Sequence, residues 1–359
     1  KSIEKMSYEN PYVIIENDSF SALLNLIEFC DLGLRKIALK ACVNMTNCIN
    51  NQEFIKKFIM PSIPNLSNLA RFSGNSELEK TILDLSVQCI YNIILSIKNY
   101  NLNNNMTQFY KLISEHGILE NLYDIFLRFL RLERESVYDD ESLFRRKSSM
   151  NNSLNPNANS SNSNFNNNNS SSNVYISLET FKNIIKLFDF FCSLSADISN
   201  GILNMNILNV IYYILVKELG LLSTSAYKKS LSQSQNTNSA NDFNFTPNDK
   251  NKIGSNSHGY FIEIFNLLIS LFPNKASKGK SDRLLAAENK NFFIYFSEKI
   301  LCLIINNIVN IPSSNSMVQI FKLLEMYINS SPAEYILKYV DPIKFSNIAN
   351  KMLDSKDSS

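Results

Sequence analysis

The sequence predicts an all-α chain, a right-handed superhelix of short repeated helices (an α-solenoid) interrupted by two long polar insertions. Three observations carry this. Breakers are scarce, with only 8 Gly and 9 Pro in 359 residues against a usual combined share of about 12%, so few residues are available for hairpins and tight turns. Apolar residues recur at three- and four-residue steps, the spacing of one helix face. That pattern returns at a nearly constant interval once two Asn/Ser-rich tracts are set aside.

The first unit places Phe20, Leu23, Leu24 and Ile27 on one helix and Leu34, Ile37, Ala38, Ala41, Met45 and Cys48 on a longer one. From Asn51 to Ile97 a complete unit of three helices is predicted. Phe54, Ile55, Phe58 and Ile59 mark the first, Ile63, Leu66 and Leu69 the second, and Leu78, Ile82, Leu85, Cys89, Ile93 and Ile97 the third. Ser76 and Glu79 have the spacing of a capping box, in which hydroxyl and carboxylate each accept from an amide of the first turn. Leu34 and Leu78 open successive third helices 44 residues apart, within the period of about 40–47 residues that armadillo and HEAT repeats keep.

A third unit follows with Phe109, Leu112 and Ile113, then Ile118 to Phe129, then, beyond an insertion, Leu178, Phe181, Ile185, Phe188 and Cys192. The fourth has Ile198 and Ile202, then Ile207 to Leu215, then, beyond a second insertion, Phe261, Ile264, Phe265, Leu268 and Phe272. Phe292 to Ile308, Val318 to Ile328, Tyr335 to Val340 and Ile343 to Leu353 supply a fifth unit and part of a sixth. Prolines fall at helix edges: Pro273 and Pro312 follow apolar helices, and Ser331-Pro332-Ala333-Glu334 reads as an N-cap, an N1 proline and a capping-box Glu.

The insertions are predicted from composition. Residues 151–173 hold 12 Asn and 7 Ser in 23 positions, too little apolar surface to offset the entropy of ordering. A second tract of the same kind runs from about Ser223 to Ser257. The expected organisation is therefore armadillo-type repeats over 1–130, 176–222 and 258–354, with disordered insertions at 131–175 and 223–257. Each insertion falls between the second and third helices of its unit. The chain begins at Lys1 and stops at Ser359 without a fold boundary, and is expected to be a piece of a longer protein.

Charge and cysteine content exclude some functions. A net charge of +2 from 35 basic and 33 acidic residues gives no electrostatic footprint for nucleic acid or anionic lipid, so neither partner is expected. Cys30, Cys42, Cys48, Cys89, Cys192 and Cys302 each lie in an apolar helical pattern without a C-x-x-C pair, as small buried hydrophobes do. That points to a reducing compartment, cytoplasmic, nuclear or both. The most membrane-like stretch, Ile207 to Leu222, is shorter than the about 20 apolar residues a bilayer requires.

No catalytic machinery is legible. His116 and His258, the only histidines, each stand beside Gly at a loop edge with no Cys or carboxylate at ligand or triad spacing. Phosphate-cradling and nucleophile motifs are absent, so catalytic residues, metals and cofactors are not expected. What remains is a binding surface. Asn44 sits where an armadillo third helix carries an Asn on its concave side, with an amide able to pair with an extended partner's backbone. Lys40, Asn47, Gln88, Asn92, Lys182, Lys186 and Asn266 occupy polar positions on the third helices and would line the same groove. Arg145-Arg146-Lys147-Ser148 has the form of a basophilic kinase site, with Ser148 the candidate acceptor of a phosphate worth about −2 charges.

Three stretches, in order, resemble the armadillo region of HECT-type ubiquitin ligases of the ubiquitin-fusion-degradation class, to which the thyroid-receptor-interacting ligase belongs. They are Leu34-Arg35-Lys36-Ile37-Ala38-Leu39 through Asn44, with Phe54 and Pro64-x-Leu66 after it; Leu112-Ile113-Ser114-Glu115-His116-Gly117-Ile118-Leu119-Glu120-Asn121; and Phe188-x-x-Phe191-Cys192-Ser193 with Tyr260-Phe261-x-Glu263-Ile264-x-Asn266-Leu267-Leu268-x-x-Leu271-Phe272-Pro273. The resemblance implies a substrate-receptor arm that engages protein substrates and ubiquitin or ubiquitin chains for proteasomal degradation. The catalytic Cys and the ubiquitin-conjugating-enzyme contact would lie in a HECT domain outside these residues. Drift from Arg to Lys and from Ala to Ile separates this chain from the family's helix motif. A plain armadillo scaffold and a nuclear-transport-type adaptor are the alternatives; the latter's groove stacks basic stems on Trp, and this chain has none.

Overall fold

The computed structural model describes residues 2–49, 52–69, 76–99, 111–130, 176–194, 196–219, 260–273, 289–308, 311, 314–343, 346 and 350. Among them every regular element is a helix and there is no strand. The insertions 131–175 and 223–257, Ser148 and His258 lie outside the described residues. The chain divides into two compact units, Lys1–Leu187 and Phe188–Ser359.

In the first unit the helices are α1 (Ser2–Glu9), α2 (Pro11–Glu16), α3 (Ser19–Ile27), α4 (Leu32–Asn47), α5 (Gln52–Phe54), α6 (Ile63–Leu69), α7 (Glu77–Asn99) and α8 (Ile118–Leu130). Helix α9 (Leu178–Leu194) begins here and carries the division between the units. Helix α3 forms where predicted and buries the four expected residues, Phe20, Leu23, Leu24 and Ile27. Helix α4 starts at Asp31, whose carboxylate accepts from the Leu34 amide at 2.9 Å. Its core face is Leu39, Ala41, Cys42 and Met45, none of them exposed, whereas Leu34 is 52% exposed. The predicted stripe is right from Ala38 to Met45; Leu34 lies in the first turn, before the helix reaches the core, and the half-buried Cys48 lies just past the last helical residue.

Helical turns precede α7 over both predicted segments, but the first is less regular than its apolar spacing implies. After α5 the chain runs through a π-helical turn, Ile55–Ile59, and a 3₁₀ turn, Met60–Ser62, into α6. The wider turn sets Ile55, Phe58 and Ile59 inward together. Helix α7 opens with the hydroxyl half of the predicted capping box, the Glu79 amide donating to Ser76 Oγ at 3.1 Å. It lays Ile82, Leu83, Val87 and Cys89 against α4 and α6 with no exposed surface; a fully buried aliphatic side chain contributes about 1.5–3 kcal/mol. Helix α7 is long and apolar enough to cross a membrane, and 61% of its apolar window is buried inside the chain.

The turn before α8 is made by Gly117, whose φ of 63° few L side chains adopt. Its amide donates to the Ser114 carbonyl while its carbonyl accepts from the Asn121 amide. Phe126 of α8 then stacks on Phe181 of α9 at 5.0 Å.

Helices α1 and α2 are absent from the sequence reading. Helix α2 starts on Pro11 at its first position and buries Ile14 and Ile15. The Tyr12 hydroxyl donates to the Cys48 carbonyl at the end of α4. Helix α1 packs on α4.

The second unit contains α10 (Ala196–Asn204), α11 (Ile207–Glu218), α12 (Phe261–Leu271), α13 (Lys290–Tyr295), a π-helical turn Phe296–Leu301, α14 (Cys302–Asn307), α15 (Ser314–Ser330) and α16 (Ala333–Tyr339). The predicted single helix from Phe292 to Ile308 is thus widened in its middle, at Ser297, whose hydroxyl meets the Phe293 carbonyl and Tyr327 Oη. An aromatic cluster fills the core: Phe272 meets Phe292 and Phe296 edge-on at 5.1 and 4.8 Å, and Phe296 stacks on Tyr327. Helix α16 starts one residue later than predicted, with Pro332 as N-cap and no side-chain cap bond, so the expected capping box does not form.

Candidate functional site

Helices α1, α4 and α7 enclose an open cleft of about 520 Å³. Helix α1 supplies Glu4, Lys5 and Tyr8, α4 supplies Lys40, Val43 and Asn44, and α7 supplies Leu85. Two residues the sequence singled out, Lys40 and Asn44, therefore lie together in one concave place. Both are already engaged. The Lys40 ammonium sits 3.5 Å from the Glu4 carboxylate, and the Asn44 amide donates to Ser7 Oγ at 3.1 Å and to the Glu4 carbonyl at 3.5 Å.

Farther along the third helices the predicted amides point inward. Asn92 is only 6% exposed; its Nδ2 donates to Thr46 Oγ1 of α4 at 3.2 Å and its Oδ1 accepts from Gln88 Nε2 at 2.7 Å. Gln88 in turn accepts from Asn183 Nδ2 of α9 at 3.0 Å. Asn92 and Asn183 thus each send an amide back to a polar side chain on the preceding long helix, and Asn44 sends its own to Ser7 of the short α1. The amides expected to face a partner tie one helix to the next. The reason is geometric: each long helix has helical neighbours on two sides, so positions that look polar-facing in isolation are covered by the adjoining helix.

Asn47 is exposed at the end of α4, and Lys182 and Lys186 are half-buried on α9. The Lys186 ammonium lies 5.7 Å from the centre of the Tyr91 ring and 4.0 Å from the Glu179 carboxylate. Asn266 is half-buried on α12, in the second unit.

Two residues that bond α7 to α9 escaped sequence reasoning. Asn183 is 2% exposed and flanked by buried Phe181, Ile184 and Ile185; an Asn inside an apolar helix stripe, where it is a poor helix former, was the available signal. Asp84 is the other. Its Oδ1 accepts from the Ser177 amide and hydroxyl, both at 3.2 Å, and from Thr180 Oγ1 at 2.5 Å, fastening the start of α9 to α7.

The thiols here, Cys42 and Cys89, have no exposed surface. Burial pushes Cys42 well above the ordinary thiol range, and pushes Cys89 up to about 12 despite a hydrogen bond from Thr46. Among the described residues no group of His, Cys, Asp and Glu is placed to hold a metal ion. Chemically the cleft can bind and orient, through the Lys5 and Lys40 ammoniums, the Asn44 amide and an apolar floor. No family model, curated protein or solved structure matches this chain.

Proposed function

We propose that this chain is an armadillo/HEAT-like α-solenoid arm that binds protein substrates and ubiquitin for a HECT-type ubiquitin ligase. The observation that carries the reading is the recurrence of two shorter helices before a long one, with α4 packed on α1 and α7 on α4. The three ordered sequence stretches that resemble the ubiquitin-fusion-degradation class add the functional half. Six cysteines without a disulfide support a cytoplasmic or nuclear setting.

The test is capture of ubiquitin chains and of a ubiquitin-fusion substrate by the full chain. Asn47→Ala combined with Lys182→Ala, chosen because neither side chain is buried, should weaken capture by about fivefold or more, equivalent to about 1 kcal/mol, at unchanged melting temperature. Unaltered capture removes the groove assignment; no capture by the unsubstituted chain removes the ubiquitin reading.

A further inference from the structure

Helix α1 is joined to its unit by polar groups and by little buried apolar surface. Its buried side chain is Ser7, while Ile3, Met6 and Tyr8 are 37%, 52% and 80% exposed. By contrast α3, one residue longer, buries four apolar side chains. What holds α1 on α4 is the Glu4–Lys40 ion pair and the two bonds from the Asn44 amide. Contacts of this half-exposed kind contribute little in water, because each group exchanges a protein partner for a solvent one. A helix so attached opens before the rest of its unit does. Its departure uncovers Lys40 and Asn44 beside Val43 and Leu85, with the cleft already open next to them.

We propose that Lys40, Asn44 and the apolar floor of Val43 and Leu85 form a recognition site for a short acidic helical segment, and that α1 fills it in cis. The inference rests on the protein-binding reading above and gives that reading a chemistry. The incoming segment presents a carboxylate to Lys40 and, three residues on, a hydroxyl to Asn44, as Glu4 and Ser7 do. Charge complementarity sets the choice: a basic segment would leave the Lys40 ammonium without its counter-charge.

The experiment uses the full chain carrying Glu4→Ala and Ser7→Ala, with a fluorescent peptide of the natural sequence of residues 2–9 as probe. If α1 occupies the site, releasing it should tighten peptide binding by about tenfold, the factor by which an occupied site lowers apparent affinity when about one molecule in ten is open. The α1 amides should lose hydrogen-exchange protection while the melting temperature stays within about 4 °C. Adding Lys40→Ala should erase the gain. Unchanged peptide affinity in a folded variant overturns the proposal, and so does a melting temperature lowered by about 10 °C or more, which would make α1 part of the core. Ubiquitin capture measured alongside separates the two readings. A peptide gain without ubiquitin capture keeps this site and removes the ubiquitin reading, and ubiquitin capture without a peptide gain removes this site alone.

Discussion

Removing the Asn92 amide takes away the acceptor of the half-buried Gln88 Nε2 and one donor to Thr46 Oγ1, which keeps its bond to the Val43 carbonyl. A polar group left unpaired away from water costs about 1–3 kcal/mol, so Asn92→Ala should lower stability by that amount in a denaturant titration. A surface-groove Asn would instead leave stability unchanged, and a shift below about 0.5 kcal/mol would return Asn92 to the groove. Asn44, nearly alike in sequence context, is a different case, because its partners lie on the lightly attached α1.

At the scale of elements, Asp84 decides where α9 begins. Its carboxylate takes three hydrogen bonds from the first turn of a helix more than ninety residues away in sequence. Asp84→Ala is expected to cost about 1–3 kcal/mol and to raise hydrogen exchange first at the amides of residues 177–181; uniform exchange across α9 would count against the anchoring role. Such contacts also explain what could be read from sequence. Helices α3 and α7 were legible because Phe20, Leu23, Leu24 and Ile27, or Ile82, Cys89, Ile93 and Ile97, repeat their burial in their spacing. Helix α1 was not, since a helix that buries Ser7 alone has no apolar stripe to show. Of the cleft, Lys40 and Asn44 were legible by residue type and helix position. Glu4, Tyr8 and Leu85 join them only through packing between helices far apart in sequence.

Across the whole molecule, Cys42, Cys89 and Cys192 share one behaviour. Burial holds Cys89 and Cys192 at about 12 and Cys42 well above the usual 9.0. A thiol whose folded value is raised keeps its proton in the folded state and releases it on unfolding. Its contribution is therefore complete below about pH 9 and is lost as pH rises toward 12. Stability measured across that window should fall, and native protein at neutral pH should expose at most Cys30, Cys48 and Cys302, the half-buried three, to a thiol reagent. Labelling of Cys89 or Cys192 without denaturant, or stability that stays flat through that alkaline range, would contradict this.

The amides that run from Asn92 to Thr46 and from Asn183 to Gln88 also have a mechanical meaning. Apolar faces adhere without direction, so by themselves they hold two helices together without naming a single register. A hydrogen bond weakens steeply once its distance and angle are lost, and a helix advances about 1.5 Å per residue. These rungs therefore name the register: a slide of one residue's rise breaks them even where apolar surfaces still touch.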